Sequence, residues 1–105
     1  MTDDATGGAP IQVGDDHFTC EVSIVNEMGL HARPASLMVG IASKYPCEIV
    51  IYSGSNTVDG KSILQLLSLS AEMGTKLKLE TRGPGAREAI EALAELVRQG
   101  FSETS

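Results

Sequence analysis

Lys76-Leu77-Lys78-Leu79-Glu80 alternates charged and aliphatic residues with a strict period of two. Successive side chains of a strand point to opposite faces, so a sheet containing this segment has one wet face and one dry face. Phe18 to Val25 repeats the pattern, with Phe18, Cys20, Val22 and Ile24 set against Thr19, Glu21 and Ser23. Strands of this kind, mixed with helices, belong to an α+β sheet covered on one side only.

The helices announce themselves by a change of period. From Ala32 to Lys44, Ala35, Met38, Ile41 and Ala42 recur at three- and four-residue spacing, and Pro46 stops the run. Cys47 to Tyr52 reads as a second strand. Ser53-Gly54-Ser55-Asn56 is a turn by composition, after which Thr57-Val58 returns as the other arm of a hairpin. Ser62 opens a second helix, and Gln65 three residues on completes a capping box, in which each side chain bonds the other residue's backbone N–H. Met73-Gly74 closes that helix, Lys76 to Glu80 forms the fourth strand, and Gly83-Pro84-Gly85 breaks the chain again. Ala86, Ile90, Leu93 and Val97 then make one apolar stripe, with Glu88, Glu91, Glu95 and Arg98 off it, ending at Gly100. The order is β-α-β-β-α-β-α, with no internal repeat.

A chain of 105 residues has room for one domain. Residues 1–16 differ from the rest: they hold Asp3, Asp4, Asp15 and Asp16, no Lys or Arg, and the breaker run Gly7-Gly8-Ala9-Pro10. Such a stretch buries too little apolar surface to offset its ordering entropy, which predicts a flexible acidic tail over 1–16 and a domain over 17–105. The net charge is −6, and subtracting the four tail aspartates leaves the domain at −2. That balance gives no basic patch for nucleic acid. No stretch approaches the ~18 apolar residues that span a bilayer, and no segment pairs a charged start with an apolar run, so no secretory signal is expected. Cys20 and Cys47 lie in strands without C-x-x-C spacing and read as small buried hydrophobes. The expectation is a cytoplasmic monomer, without metal ligands at the required spacing and without a cofactor motif.

The most informative stretch is Gly29-Leu30-His31-Ala32-Arg33-Pro34-Ala35. A strand ends, a glycine turns the chain, and a histidine stands where the first long helix begins. Pro34 suits a first helical turn, where a missing N–H costs nothing. The free N–H groups of that turn, Ala32 included, and the positive end of the helix dipole make an anion site beside the imidazole. Arg33 adds a planar guanidinium able to hold a phosphate through two hydrogen bonds. An imidazole is substantially neutral at neutral pH, hence a competent nucleophile, and phosphoryl transfer asks the protein for position and charge stabilisation. His31 is therefore the candidate phosphoryl acceptor, with Arg33 and Ala32 around the phosphate.

This run, followed by Gly60-Lys61-Ser62-Ile63-Leu64 and the same order of elements, resembles the HPr family, the histidine-containing phosphocarriers of bacterial phosphotransferase systems. The resemblance covers about residues 18–101. It implies an open-faced β-sandwich of four antiparallel strands with three helices on one face. It further implies that Nδ1 of His31 accepts phosphate from phosphorylated enzyme I and donates it to an enzyme IIA component, with Arg33 as the phosphate-binding arginine. In some bacteria the serine matching Ser62 is a regulatory site, which would add an HPr serine kinase as a partner and defines the alternative, a regulatory binding module. The matching positions Ile63, Leu64 and Leu67 flank the histidine and dock partners, the helix N-terminus lying near His31. Gly40 and Ser43 stand where some relatives carry lysines, and Ser70 where a glycine is common, which leaves the sugar and nitrogen branches both open.

Three further features bear on the function. Gly60-Lys61-Ser62 is no nucleotide P-loop, because position 55 is Ser rather than the required Gly. His17 stands at the tail boundary with no partner pattern. On the second helix, Ile63, Leu64 and Leu67 group on one side at roughly 100° per residue while Leu66 and Leu69 lie on another. The first group is expected at the surface as an interface and the second in the core.

Overall fold

The alternating segments pair as their wet and dry faces require. A computed structural model of the chain describes residues 8–102. Within it run β1 (Ile11–Gly14), β2 (His17–Ser23), α1 (Ala32–Ala42), β3 (Glu48–Ser53), β4 (Asn56–Asp59), α2 (Ile63–Ser68), β5 (Lys76–Arg82) and α3 (Ala86–Arg98), closed by a 3₁₀ turn at Gly100–Ser102. The sheet is antiparallel throughout, in the order β1-β2-β5-β3-β4. Its register sets Cys20 opposite Leu79, Val22 opposite Leu77 and Ile51 opposite Leu79, so the apolar set of each strand falls on one face. α3 lies across β2 and β5 on that face, and α1 packs against both α2 and α3. Ala86, Ile90, Leu93 and Val97 are all buried, as the stripe predicts, and Cys20 and Cys47 are buried free thiols. This is the open-faced α+β architecture expected.

Five strands replace the four expected. The expected acidic tail, 1–16, falls partly on residues 1–7, which lie outside the described residues. Ile11–Gly14 form β1, with Ile11 opposite Thr19 and a bulge before Gly14. Two causes act here. Asp16 adopts φ 49°, closing a tight Asp15-Asp16 turn, and the outer edge of β2 supplies backbone partners for the incoming strand. Farther back, the Gly8 carbonyl accepts from the Arg98 guanidinium and from the Cys20 thiol. The alternation of Ile11, Gln12 and Val13 carried this signal, but acidic and breaker residues dominate the composition around it.

α2 is shorter than its apolar run. It stops at Ser68 rather than near Met73, because Ser70 turns left-handed at φ 50°. Ser62 caps it as expected, its Oγ accepting from the Gln65 N–H at 3.3 Å. The reciprocal half of the box is diverted. Gln65 Oε1 accepts from the Asp59 N–H at 2.9 Å, and the Ser62 N–H goes to the Asp59 carbonyl at 3.1 Å. Leu66 is fully buried, an apolar burial of about 1.5–3 kcal/mol. Leu69 is only partly buried against the core.

Candidate functional site

Gly29 sets the geometry of the loop that presents His31. It adopts φ +73°, and a Cβ there would lie 2.4 Å from the Ala71 carbonyl oxygen. The close approach is used: the Leu30 N–H donates to that carbonyl at 2.8 Å. Buried Asn26 fastens the other side, its Nδ2 donating to the Gly29 carbonyl at 2.8 Å. Leu30 is buried, which anchors the turn just before His31.

His31 then occupies the N-cap of α1 with extended backbone, φ −90° and ψ −167°, and is half-buried. Its carbonyl accepts the first helical bond, from Ala35 at 3.0 Å. Its side chain makes no capping bond. The imidazole therefore leaves the N–H groups of Ala32 and Arg33 to another acceptor, since the first turn of a helix has none of its own for them. Pro34 is buried and has no N–H to satisfy. Arg33 is exposed on this turn, and no acidic residue stands within it. An imidazole, two backbone donors and a helix dipole thus stand at one helix end with Arg33 exposed on the same turn, an arrangement suited to an oxyanion bonded to a ring nitrogen.

The other candidates fall into place around it. Ile63 and Leu64 are exposed, and Leu67 is half-buried against the core, so the expected division of α2 holds for Leu64 and Leu66 and blurs at Leu67. The direction of α2 differs from expectation. Its C-terminal end, through Ala71, lies against the His31 loop, whereas Lys61 at its start donates to the Tyr45 carbonyl beyond the end of α1, at 2.7 Å. Ser62 is consequently at the opposite end of α1 from His31, and the eleven residues of that helix span about 16 Å. His31, Ala32 and Arg33 are brought together, while Ser62 is not.

Met28 and Met73 were missed by sequence reasoning. They sit on the two loops that meet at the Leu30–Ala71 bond and are well exposed. Loop residues follow no period, so no signal marked them. His17 likewise showed no partner in the sequence. It lies on the open face, where Nε2 contacts Glu80 Oε2 at 2.5 Å while the Tyr52 hydroxyl donates to Glu80 Oε1 at 2.5 Å. These bonds hold the Glu80 carboxyl below its ordinary range, the Tyr52 hydroxyl contributing most, and the bond to Glu80 pushes the Tyr52 hydroxyl up. The three residues come from β2, β5 and β3, and only the sheet register joins them. A cavity of about 450 Å³ opens between Cys47, Ile49, Val58 and Lys61, and His31 is not in its lining. His31 sits on a surface, which suits a group delivered by another protein. Among the described residues no cluster of His, Cys, Asp or Glu has the arrangement of a metal site, and no helix is long and apolar enough to cross a membrane.

A histidine at a helix N-terminus thus stands on an α+β domain whose sheet is covered on one face only. The family model described as "PTS HPr component phosphorylation site" matches residues 18–99. The phosphocarrier protein HPr of Pseudomonas aeruginosa is 44% identical over 84 residues, 79% of this chain and 93% of that protein. The phosphocarrier protein NPr of Shewanella violacea is 38% identical over 85 residues, 81% of this chain and 93% of that one. A solved structure of HPr from Thermoanaerobacter tengcongensis superposes with a TM-score of 0.79 at 38% identity, covering 83% of this chain and 98% of its own. The chain belongs to the HPr family of phosphotransferase-system phosphocarriers.

Proposed function

We propose that this chain accepts a phosphoryl group on Nδ1 of His31 from phosphorylated enzyme I and passes it to an enzyme IIA component in the cytoplasm. The observation that supports the reading is the N-cap position of His31, on the same first turn as Arg33 and without a side-chain capping bond. In the step, the Nδ1 lone pair forms the new N–P bond as the bond to the donor's leaving atom breaks, and Nε2 keeps its proton. The phosphoryl charge is met by the Ala32 and Arg33 N–H groups and by the Arg33 guanidinium. The partner docks on Ile63, Leu64 and the exposed part of Leu67. Family membership supports the general role, and the relatives include both HPr and NPr phosphocarriers. Ser62 is engaged as a helix cap, so nothing specific favours regulation through it.

The test is incubation with phosphoenolpyruvate and enzyme I, followed by intact-mass measurement at alkaline pH. One acid-labile, base-stable phosphoryl group is expected on the wild type and none on His31→Ala. A label that survives in His31→Ala would overturn the assignment.

A further inference from the structure

We infer that Asn26 is a positioning residue for transfer through His31, acting by way of the peptide unit between Gly29 and Leu30; this rests on the phosphocarrier reading above. Asn26 and Thr81 are the buried polar side chains among the described residues, Asn26 at 6% exposure. A buried polar group costs free energy unless it is hydrogen-bonded, so its bonds say what it is there to do. The Thr81 hydroxyl donates to the Ala86 carbonyl at 2.8 Å and so joins β5 to the start of α3. Asn26 belongs to no helix or strand. Its Nδ2 donates to the Gly29 carbonyl at 2.8 Å, and the Gly29 N–H donates back to the Asn26 carbonyl at 3.2 Å. One four-residue turn is therefore closed twice.

The side-chain closure bears directly on His31. The Gly29 carbonyl also accepts from the His31 N–H at 3.0 Å, which occupies the second of its two lone pairs. The N–H at the other end of the same peptide unit, on Leu30, donates to the Ala71 carbonyl at 2.8 Å. This one peptide plane is gripped at its oxygen by Asn26 and at its nitrogen by Ala71, and His31 is tied to it by its own backbone. Without the Asn26 amide, the oxygen keeps only the bond from His31, which moves with the residue it should hold. The plane then turns about Gly29, the residue whose backbone resists rotation least. That rotation carries His31 away from the geometry in which α1 begins and in which the Ala32 and Arg33 N–H groups meet the phosphoryl charge. Asn26 is itself backed by the closing turn, since a Cβ at Gly100 would lie 3.7 Å from the Asn26 Cβ. Transfer depends on alignment, and a displacement of about 1 Å costs about 100-fold in rate.

The test is steady-state phosphorylation by enzyme I and phosphoenolpyruvate, with the full chain as the varied substrate. Two variants remove the donor: Asn26→Ala, and Asn26→Leu, which keeps the volume and adds no charge. In both, kcat should fall about tenfold or more while KM stays within about threefold, because docking is retained and alignment is lost. Ile51→Val is the control. It trims a fully buried side chain in the middle of β3, lowers stability, and should leave both constants within about twofold. A kcat within about threefold of the wild type in a folded Asn26 variant overturns the inference, as does a loss carried by KM alone. Failure of both variants to melt cooperatively would make the amide a folding determinant instead, and also overturns it. A wild-type chain that takes no label on His31 sinks the phosphocarrier reading itself, an outcome distinct from a labelled wild type with unaltered Asn26 variants.

Discussion

A methyl group added at Gly29 would meet the Ala71 carbonyl at 2.4 Å while its backbone stayed at φ +73°. Either problem alone is costly, and relief of one requires the loop to move. Gly29→Ala should therefore lose about 1–3 kcal/mol from the left-handed conformation alone, read as a lower urea midpoint. Arg33 poses the opposite case. It is exposed and supports no packing, so Arg33→Ala should melt like the wild type. Transfer should slow by about 10- to 150-fold, the worth of one charge-assisted contact of ~1.5–3 kcal/mol, in kinetics taken in both directions. Unchanged transfer would remove Arg33 from the site. At this scale the sequence was highly legible. Gly, His, Arg and Pro each have a local conformational or chemical reason to stand where they do, and local reasons survive folding. His17 was illegible because Glu80 lies 63 residues from it along the chain, and Tyr52 lies 28 residues from Glu80.

α2 divides its leucines between core and surface, and the division is testable in two variants. Leu66 is fully buried, so Leu66→Ala should cost about 2–5 kcal/mol. Leu64→Asp should leave stability within about 0.5 kcal/mol and slow transfer instead. Denaturation and transfer assays on the pair settle the orientation, since unfolding by Leu64→Asp would reverse it. The open face makes a different prediction. Glu80 ties β5 to β3 through Tyr52 and to β2 through His17, and its carboxyl is held below the ordinary range, first by the Tyr52 hydroxyl and then by His17. A depressed carboxyl contributes stability above its unfolded pKa of ~4.3, and that contribution disappears as pH falls through the lower folded value. Glu80→Gln should therefore narrow the gap between urea midpoints measured at neutral pH and at about pH 3; an equal gap in both proteins would contradict the clasp. The end of α2 escaped the sequence because a left-handed Ser70 is unfavourable locally and is tolerated where Ala71 docks on the His31 loop.

The order β-α-β-β-α-β-α and the one-sided cover were readable across the whole chain because period-two and helical patterns are written residue by residue. What the patterns omit is which ends meet. The antiparallel course of α1 and α2, which separates Ser62 from His31, is settled by backbone contacts such as Leu30 to Ala71 and Lys61 to Tyr45. β1 likewise depends on the β2 edge, far more than on its own four residues. The molecule that results keeps its polar ladder on one side and His31 at a helix end, with Met28 and Met73 exposed on the neighbouring loops, a layout that suits the proposed carrier role. A carrier, unlike a dead-end target, gives its phosphoryl group away. The most direct measurement takes the phosphorylated chain, freed of enzyme I, and mixes it with an enzyme IIA component. The label should leave His31 and appear on the acceptor in equal amount, with His31→Ala carrying none. Label that stays on the chain, or is lost only to water, would contradict the account.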